Sequence, residues 1–337
     1  MQSREGGIAL ADTTTASTAI KRMQKANPMA QMRELPALVF LLVAVSALWR
    51  YAPNFGTATN LLTIARETAI VGIMGAGMTT VILTAGIDLS VASVLAFSAA
   101  VMAAMMVGGT SIWLAVIAAL GVGAVCGAGN ALLIIRFRIP PIIATLGTMG
   151  ILRAGVTLYT HAKWIGPLPG SFYFVGTGYA PVILLAVVAV TSSIFLLRTK
   201  MGRYVYAAGG NEEAVRLSGL NVERVKSTVY ILNGFLASVA GLIMTSSMAS
   251  AQSNMAMGYE LNVIAAVVIG GTSINGGQGS VLGTIIGAAI MAVLSNSLIL
   301  LGVPIYWHKV ITGAIILMAV LVDKLRFLKS DEGYSKV

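Results

Sequence analysis

The polar residues best placed for chemistry in this chain sit where polar residues are costly. Asp88 and Ser90 lie in Gly86-Ile87-Asp88-Leu89-Ser90, inside an apolar stretch that runs from Val81 to Ala96. Shifted by 187 residues without a gap, Ile274-Asn275-Gly276-Gly277 occupies the matching place after Val268-Ile269. Six of the 16 aligned positions from Val81 to Ala96 are identical, and Asn275 falls opposite Asp88. An internal repeat of parallel orientation accounts for the match. Unwound backbone at membrane depth is tolerated only where protein or a water-filled cavity satisfies its polar groups. Paired interrupted segments in corresponding halves therefore point to a transport pathway. Tight packing through small residues is the other reading of the same glycines and alanines; the carboxylate of Asp88 favours a polar cavity.

Covalent chemistry finds little support. Arg66, Glu67 and Arg153 are the other ionisable groups inside apolar stretches, and each must face the bundle interior or an interface. Arg66 and Glu67 are adjacent and point to different sides of a helix, which suits a structural role near the outer end. His161 and His308 stand at outer span ends, as interfacial histidines do. No spaced Asp, Glu and His relay emerges, which weakens a proton-coupled transporter. Cys126 is the only cysteine and lies in an apolar block, so it reads as a small buried hydrophobe with no thiolate metal cluster to join.

The elements that carry these residues are membrane spans. Hydrophobic residues make up 57% of the chain, charged residues 10%, and the mean hydropathy is +0.87; a soluble domain carries about 25% charged residues. The apolar blocks are of the length that crosses a hydrocarbon core. About ten are expected, at 36–51, 60–80, 90–108, 112–135, 140–160, 180–198, 227–249, 261–274, 279–300 and 304–323, the eighth being short enough to be a partial helix. The net charge of +10 is parked between the blocks rather than along a basic stripe, which argues against nucleic acid. With the N-terminus inside, one side holds Arg4, Lys21, Arg22, Lys25 and Arg33, then Arg136, Arg138, the run from Arg198 to Lys226, and Lys324, Arg326, Lys329 and Lys336. The other side holds Arg50, Lys163 and Lys309. That asymmetry places both termini in the cytoplasm. The division expected is a disordered cytoplasmic tail over 1–35, a transmembrane domain over 36–325 and a cytoplasmic tail over 326–337. The outer loop at 161–179 carries Trp164, Phe172, Tyr173 and Phe174, which serve as interfacial anchors or as a docking surface.

The longest polar stretch between spans, Arg198 to Lys226, has shape of its own. Asn211 is an N-cap with Glu212 and Glu213 in the first helical turn, where acidic groups favour the helix dipole. Gly219 supplies a stop. A short helix of about two turns beside the membrane results.

The run Glu213-Ala214-Val215, followed by Gly219, resembles the cytoplasmic motif by which ABC importer permeases dock their ATPase. The wider chain resembles the ribose/xylose/arabinose-type permeases of monosaccharide ABC importers, over about residues 36–325. The matching runs are Gly-Ile-Asp-Leu-Ser-Val-Ala-Ser at 86–93, Pro-Pro-Ile-Ile-Ala-Thr-Leu-Gly-Thr-Met at 140–149 and Ala-Gly-Gly-Asn-Glu-Glu-Ala at 208–214. Tyr-Glu-Leu-Asn-Val-Ile-Ala-Ala-Val-Val-Ile-Gly-Gly-Thr at 259–272 and Gly-Gly-Gln-Gly-Ser at 276–280 follow in order. The family usually has Gly at Ala92 and Asp at Asn262; the second departure bears on substrate choice.

The resemblance implies an all-α polytopic protein with a vitamin-importer-like core, some helices broken, in the bacterial inner membrane. It implies a second permease copy (homodimer or paralogue heterodimer), a periplasmic sugar-binding protein outside and a tandem ATPase inside. The chain has no Gly-x4-Gly-Lys-Ser/Thr phosphate loop, so ATP and Mg are expected on the ATPase subunit, with no cofactor and no metal on this chain and no covalent catalysis by it. Gly202, Arg203, Gly210, Asn211, Glu212, Glu213, Ala214 and Gly219 are the expected ATPase-coupling residues. Sugar passage needs weak hydrogen bonding without a deep trap, and Asp88, Ser90, Tyr259 and Asn275 are the candidates for that path. A stand-alone secondary transporter or channel is the rival reading; a membrane enzyme would need clustered acid–base or metal groups that the spans do not show.

Overall fold

Apolar blocks bounded by Gly, Pro and charge fold as helices because a helix satisfies its own backbone polar groups where no water can. The computed structural model of the chain describes residues 34–304, 306–308, 310–318 and 321. Eleven α-helices run α1 (Leu35–Tyr51), α2 (Ala58–Leu83), α3 (Val91–Val107), α4 (Ile112–Ile135), α5 (Pro141–Thr160), α6 (Ala180–Arg198), α7 (Lys200–Gly210), α8 (Glu212–Leu217), α9 (Val222–Met248), α10 (Tyr259–Ile269) and α11 (Val281–Leu300). Residues 306–308 and 310–318 are also helical. Among the described residues no strand forms; one bridge joins Ile165 to Ala251.

Among the described residues six helices are long and apolar enough to cross a membrane, namely α2, α4, α5, α6, α9 and α11, while α1, α3 and α10 are shorter apolar helices. The expected blocks agree with these to within a few residues, except that α9 begins at Val222 rather than 227, and the short eighth block is the 11-residue α10. Its 11 residues reach ~16 Å, about half of a ~30 Å hydrocarbon core. Residues 1–33 of the expected 1–35 tail and all of the expected 326–337 tail lie outside the described residues, α1 already begins at Leu35, and the block at 304–323 is described in part.

Local chemistry sets the helix starts. Proline stands in the first turn of α1, α5 and α6, where its missing N–H costs nothing. Side-chain oxygens of Ser111, Thr199, Asn221 and Ser280 accept the free N–H groups of Leu114, Gly202, Arg224 and Gly283, as N-caps do.

Burial sorts the helices into centre and rim. In α9 72% of the apolar window is buried, against 17% in α5, so α9 is core and α5 turns most of its surface outward. The exposed residues of the rim are Trp113, Ile117 and Val125 on α4, Ile143, Ile151 and Leu158 on α5, and Ile183 and Val187 on α6; lipid is the solvent that suits them. Small residues hold the centre together. A methyl group on Gly127 of α4 would strike the Tyr230 carbonyl of α9 and stand 2.9 Å from Ile231 Cα. One on Gly234 of α9 would strike the Gly123 carbonyl of α4. This close approach is how membrane helices associate without a hydrophobic drive between them.

Contacts between distant segments define two poles. At one, Glu34, Leu83, Glu212, Lys226 and residues 276–280 come together through Gly277 N–Leu83 O, Lys226–Glu212 and Ser280–Glu34 bonds, and through Gly209 between them. At the other, Asn60 and Asn296 exchange side-chain bonds of 3.1 and 2.7 Å. Arg66 Nε donates to Gly178 O at 3.2 Å there, and Ser246 Oγ to Phe172 O at 2.8 Å. Helices α2, α9 and α11 therefore run from pole to pole.

Gly127→Val overpacks the α4–α9 crossing and should destabilise the protein by about 1–3 kcal/mol, seen as a lower unfolding temperature in detergent. An unchanged unfolding temperature contradicts the crossing.

Candidate functional site

The first break, residues 84–90, is built around Asp88. Helix α2 stops at Leu83, and Ala85 (φ 57°) turns the chain in the left-handed region. The Asp88 carboxylate accepts from Ser90 N at 2.9 Å, Ser90 Oγ at 2.6 Å and Asn233 Nδ2 at 2.9 Å. Asn130 Nδ2 lies 3.4 Å from it and donates to Ser90 Oγ at 2.8 Å. Thr145 Oγ1 accepts from Leu89 N at 3.1 Å. Helices α4, α5 and α9 thus all send polar side chains to one short break. Asp88 is 1% exposed and Ser90 fully buried, so both are occupied with protein partners in this conformation. A buried carboxylate without such donors would carry a large desolvation cost. Asn130 and Asn233 are functional partners that sequence reasoning missed; the signal was a lone amide in each of two apolar helices.

The second break, residues 270–280, differs from the first in length and surroundings. Gly276 (φ 87°) and Gly277 (φ 71°) take a left-handed turn that a side chain would strain. Gly277 N then donates to Leu83 O at 2.9 Å, tying the two breaks to each other. Asn275 is exposed. The aligned pair Asp88 and Asn275 therefore occupies unlike environments, because the second break runs three residues further before its helix starts (α11 begins six residues after Asn275, at Val281, whereas α3 begins three after Asp88, at Val91).

Tyr259 stands at the opposite pole and donates to Glu67 Oε1 at 2.8 Å. Its neighbour Glu260 lies 3.9 Å from Arg153, whose guanidinium donates to Met255 O at 2.6 Å and Ala256 O at 3.0 Å. Arg66 and Arg153 thus donate to loop carbonyls, while Glu67 accepts from Tyr259 at the start of α10. His308 Nε2 is 3.0 Å from Val303 O. Of the four path candidates, Asp88 and Ser90 meet directly, Asn275 lies in the break bonded to theirs, and Tyr259 is remote.

The expected coupling residues fall on two helices rather than one. α7 was missed: Met201, Val205 and Ala208 have helical spacing, but Gly209-Gly210 looks like a loop. Gly202 is buried, with the Leu196 and Phe195 carbonyls where a methyl group would go, and Arg203 is exposed. Asn211 is extended between α7 and α8, and its Oδ1 accepts from Ala214 N at 2.9 Å, as its cap role required. Glu212 binds Lys226 Nζ at 2.7 Å and Arg216 at 3.2 Å. Gly210, Glu213, Ala214 and Leu217 are exposed, and Gly219 (φ 80°) ends the element. Burial pushes the Glu212 carboxyl upward, yet the hydrogen bonds and charges of Lys226 and Arg216 outweigh it and hold the group below its ordinary range.

Residues 60–320 match the family described as the branched-chain amino acid transport system permease component. The chain belongs to that family. The permease is 43% identical over 303 residues to the ribose import permease protein RbsC of Escherichia coli strain K12, covering 87% of this chain and 94% of the relative. It is 42% identical over 319 residues to the RbsC of Bacillus subtilis strain 168, covering 93% and 98% of the two chains. The fructose import permease protein FrcC of Rhizobium meliloti is 37% identical over 307 residues, covering 86% and 85%. The resemblance to monosaccharide importer permeases drawn from the five motifs is borne out. No solved structure matches the permease.

Asp88→Ala strands the donors of Ser90 and Asn233 at about 1–3 kcal/mol each, so its unfolding temperature in detergent should fall further than that of Asp88→Asn; equal falls contradict the clamp. Because Glu212 is depressed in the folded state, its contribution is present above the ordinary carboxylate value of 4.5 and is lost as pH falls through the lowered one. Exposure keeps that contribution small. Protection of the α8 amides, taken as exchange relative to the intrinsic rate at each pH, should fall at acid pH in the parent and lose that acid dependence in Lys226→Met; an unchanged acid dependence contradicts the pair.

Proposed function

We propose that the chain is the membrane-spanning permease subunit of a bacterial ABC importer, forming the pathway for a small sugar delivered by a periplasmic binding protein. The observation that carries this reading is the exposed α7–α8 pair seated on two interrupted helices. A lone channel has no use for a rigid, capped, acid-tipped helix pair outside its bundle, whereas an ATPase partner needs such a handle. The names of the relatives, ribose and fructose import permeases, support a monosaccharide as cargo.

In this reading ten helices span the inner membrane, the core is vitamin-importer-like with an internal repeat, and both termini are cytoplasmic. Glu34, just before α1, shares a pole with the α7–α8 pair, which supports a common cytoplasmic side for the N-terminus and the pair. Residues 1–35 and 326–337 are the cytoplasmic tails of the 36–325 permease domain. A second permease copy, identical or paralogous, completes the pathway. ATP and Mg are held by the ATPase, and this chain binds no cofactor and no nucleic acid. The binding protein docks on the outer loops 161–179 and 250–258, which the Ile165–Ala251 bridge fastens together.

In this reading transport runs by alternating access. The ATPase pair closes, Glu213, Ala214 and Leu217 on α8 take the push, and the bundle tilts between outward and inward openings. Asn275 and Tyr259 contact sugar along the path. Asp88 and Ser90 shape the first break and reach sugar when their clamp opens.

Glu213→Arg should leave the permease inserted but abolish co-purification with the ATPase; normal co-purification contradicts the docking role. In proteoliposomes holding permease, ATPase and cognate binding protein, one of a panel including ribose and fructose should accumulate only with ATP. Equal uptake by the permease alone favours a stand-alone transporter instead.

A further inference from the structure

The end of α7 does more than precede the capping Asn211. Gly209 packs so closely that a methyl group there would overlap the Leu83 carbonyl and stand 2.5 Å from Gly277 N. Those two atoms are the acceptor and donor of the bond that joins the breaks. Leu83 O is one of the carbonyls that the end of α2 leaves without a helical partner, and Gly277 supplies it. A methyl group on Gly276 would stand 3.0 Å from Gly209 O, and one on Gly277 2.9 Å from Gly210 N. One turn earlier on α7, Tyr206 Oη donates to Gly279 O at 2.9 Å. At the far end of the same break, Ser280 Oγ donates to Glu34 Oε1 at 2.5 Å while capping Gly283 N.

We infer that Gly209 and Tyr206 are positioning residues of energy coupling, through which the α7–α8 pair moves both interrupted helices by direct backbone contact. The inference rests on the importer reading and gives it a route. The chain connections from α7 to α6 and from α8 to α9 offer another route, in which those helices tilt and the breaks follow. The two differ in what the Gly209 contact does. Packed interfaces switch between arrangements rather than deform continuously, and the Gly209 backbone lies against the bond that holds the breaks. A displacement of α8 crosses only Asn211 and Gly210 before it reaches Gly209 and that bond. Tyr206 adds a second grip on the second break alone, so both breaks are held by one short helix.

Gly209→Ala and Tyr206→Phe separate this role from folding. Alanine favours a helix over glycine by about 1 kcal/mol, so harm from Gly209→Ala reports the contact rather than the helix. The measurement uses the complete complex of permease, ATPase and cognate binding protein in proteoliposomes, with ribose as the probe sugar. Both variants should co-purify with the ATPase and hydrolyse ATP at the parent's basal rate. Uptake per ATP hydrolysed should fall by about 2- to 30-fold, the range over which coupling mutations act, more for Gly209→Ala than for Tyr206→Phe. Parent-like uptake per ATP in both variants overturns the inference, as does a loss of uptake that only tracks lost assembly. A second readout on the isolated permease is independent of transport: amide exchange at Gly277 should quicken in Gly209→Ala, and unchanged exchange overturns the contact. A parent complex that fails to move ribose with ATP, tested beside the other sugars, counts against the importer reading, while the exchange measurement still decides the contact.

Discussion

A backbone polar group buried away from water must find its partner inside the protein, and the two interrupted helices meet that demand partly through each other. Leu83 ends one helix with a carbonyl that has no helical donor, and Gly277 brings an N–H from the other break to 2.9 Å. Neither break is complete alone. The glycines at 276, 277 and 209 follow from this one bond, because the backbones carrying donor and acceptor must approach more closely than side chains allow. The rest of the pole is arranged around it, with α7 above and the foot of α1 at the side.

The Asp88 clamp is the second consequence. A seven-residue break between α2 and α3 leaves N–H groups and a carboxylate in the buried interior, and α4, α5 and α9 each contribute a small polar side chain to satisfy them. Those helices can reach the break only because α4 and α9 cross at glycines, which brings Asn130 and Asn233 to the same carboxylate. Small-residue packing is therefore present, and at this break protein side chains, rather than the cavity that the Asp88 carboxylate suggested, satisfy the polar groups. The opposite pole is fastened differently, by Arg153 on loop carbonyls and by Tyr259 on Glu67.

Much of this was legible in the sequence, for reasons that can be named. Blocks of apolar residues marked the long helices, because length and hydropathy alone decide them, with a first-turn Pro as a further signal in α5 and α6. The cap at Asn211 and the stop at Gly219 were legible because capping is local chemistry. Asp88 stood out because a carboxylate in an apolar run is rare. The partners of Asp88 were not legible, since Asn130 and Asn233 lie 42 and 145 residues away and only the fold brings them in. The role of Asn275 could not be read from its alignment with Asp88, because the longer second break turns it outward. Helix α7 was hidden by its terminal glycines, whose purpose is a tertiary contact rather than a turn.

The central claim is that α8, α7 and the two breaks form one unit that moves against the opposite pole. Distances between spin labels test it directly, with cysteines at the exposed residues Ala214 on α8, Asn275 in the second break and Lys163 on the far loop. In the complete complex, with and without ATP, the Ala214 to Asn275 distance should stay constant while both distances to Lys163 change. A change in the Ala214 to Asn275 distance, with Asn275 fixed relative to Lys163, would contradict the account.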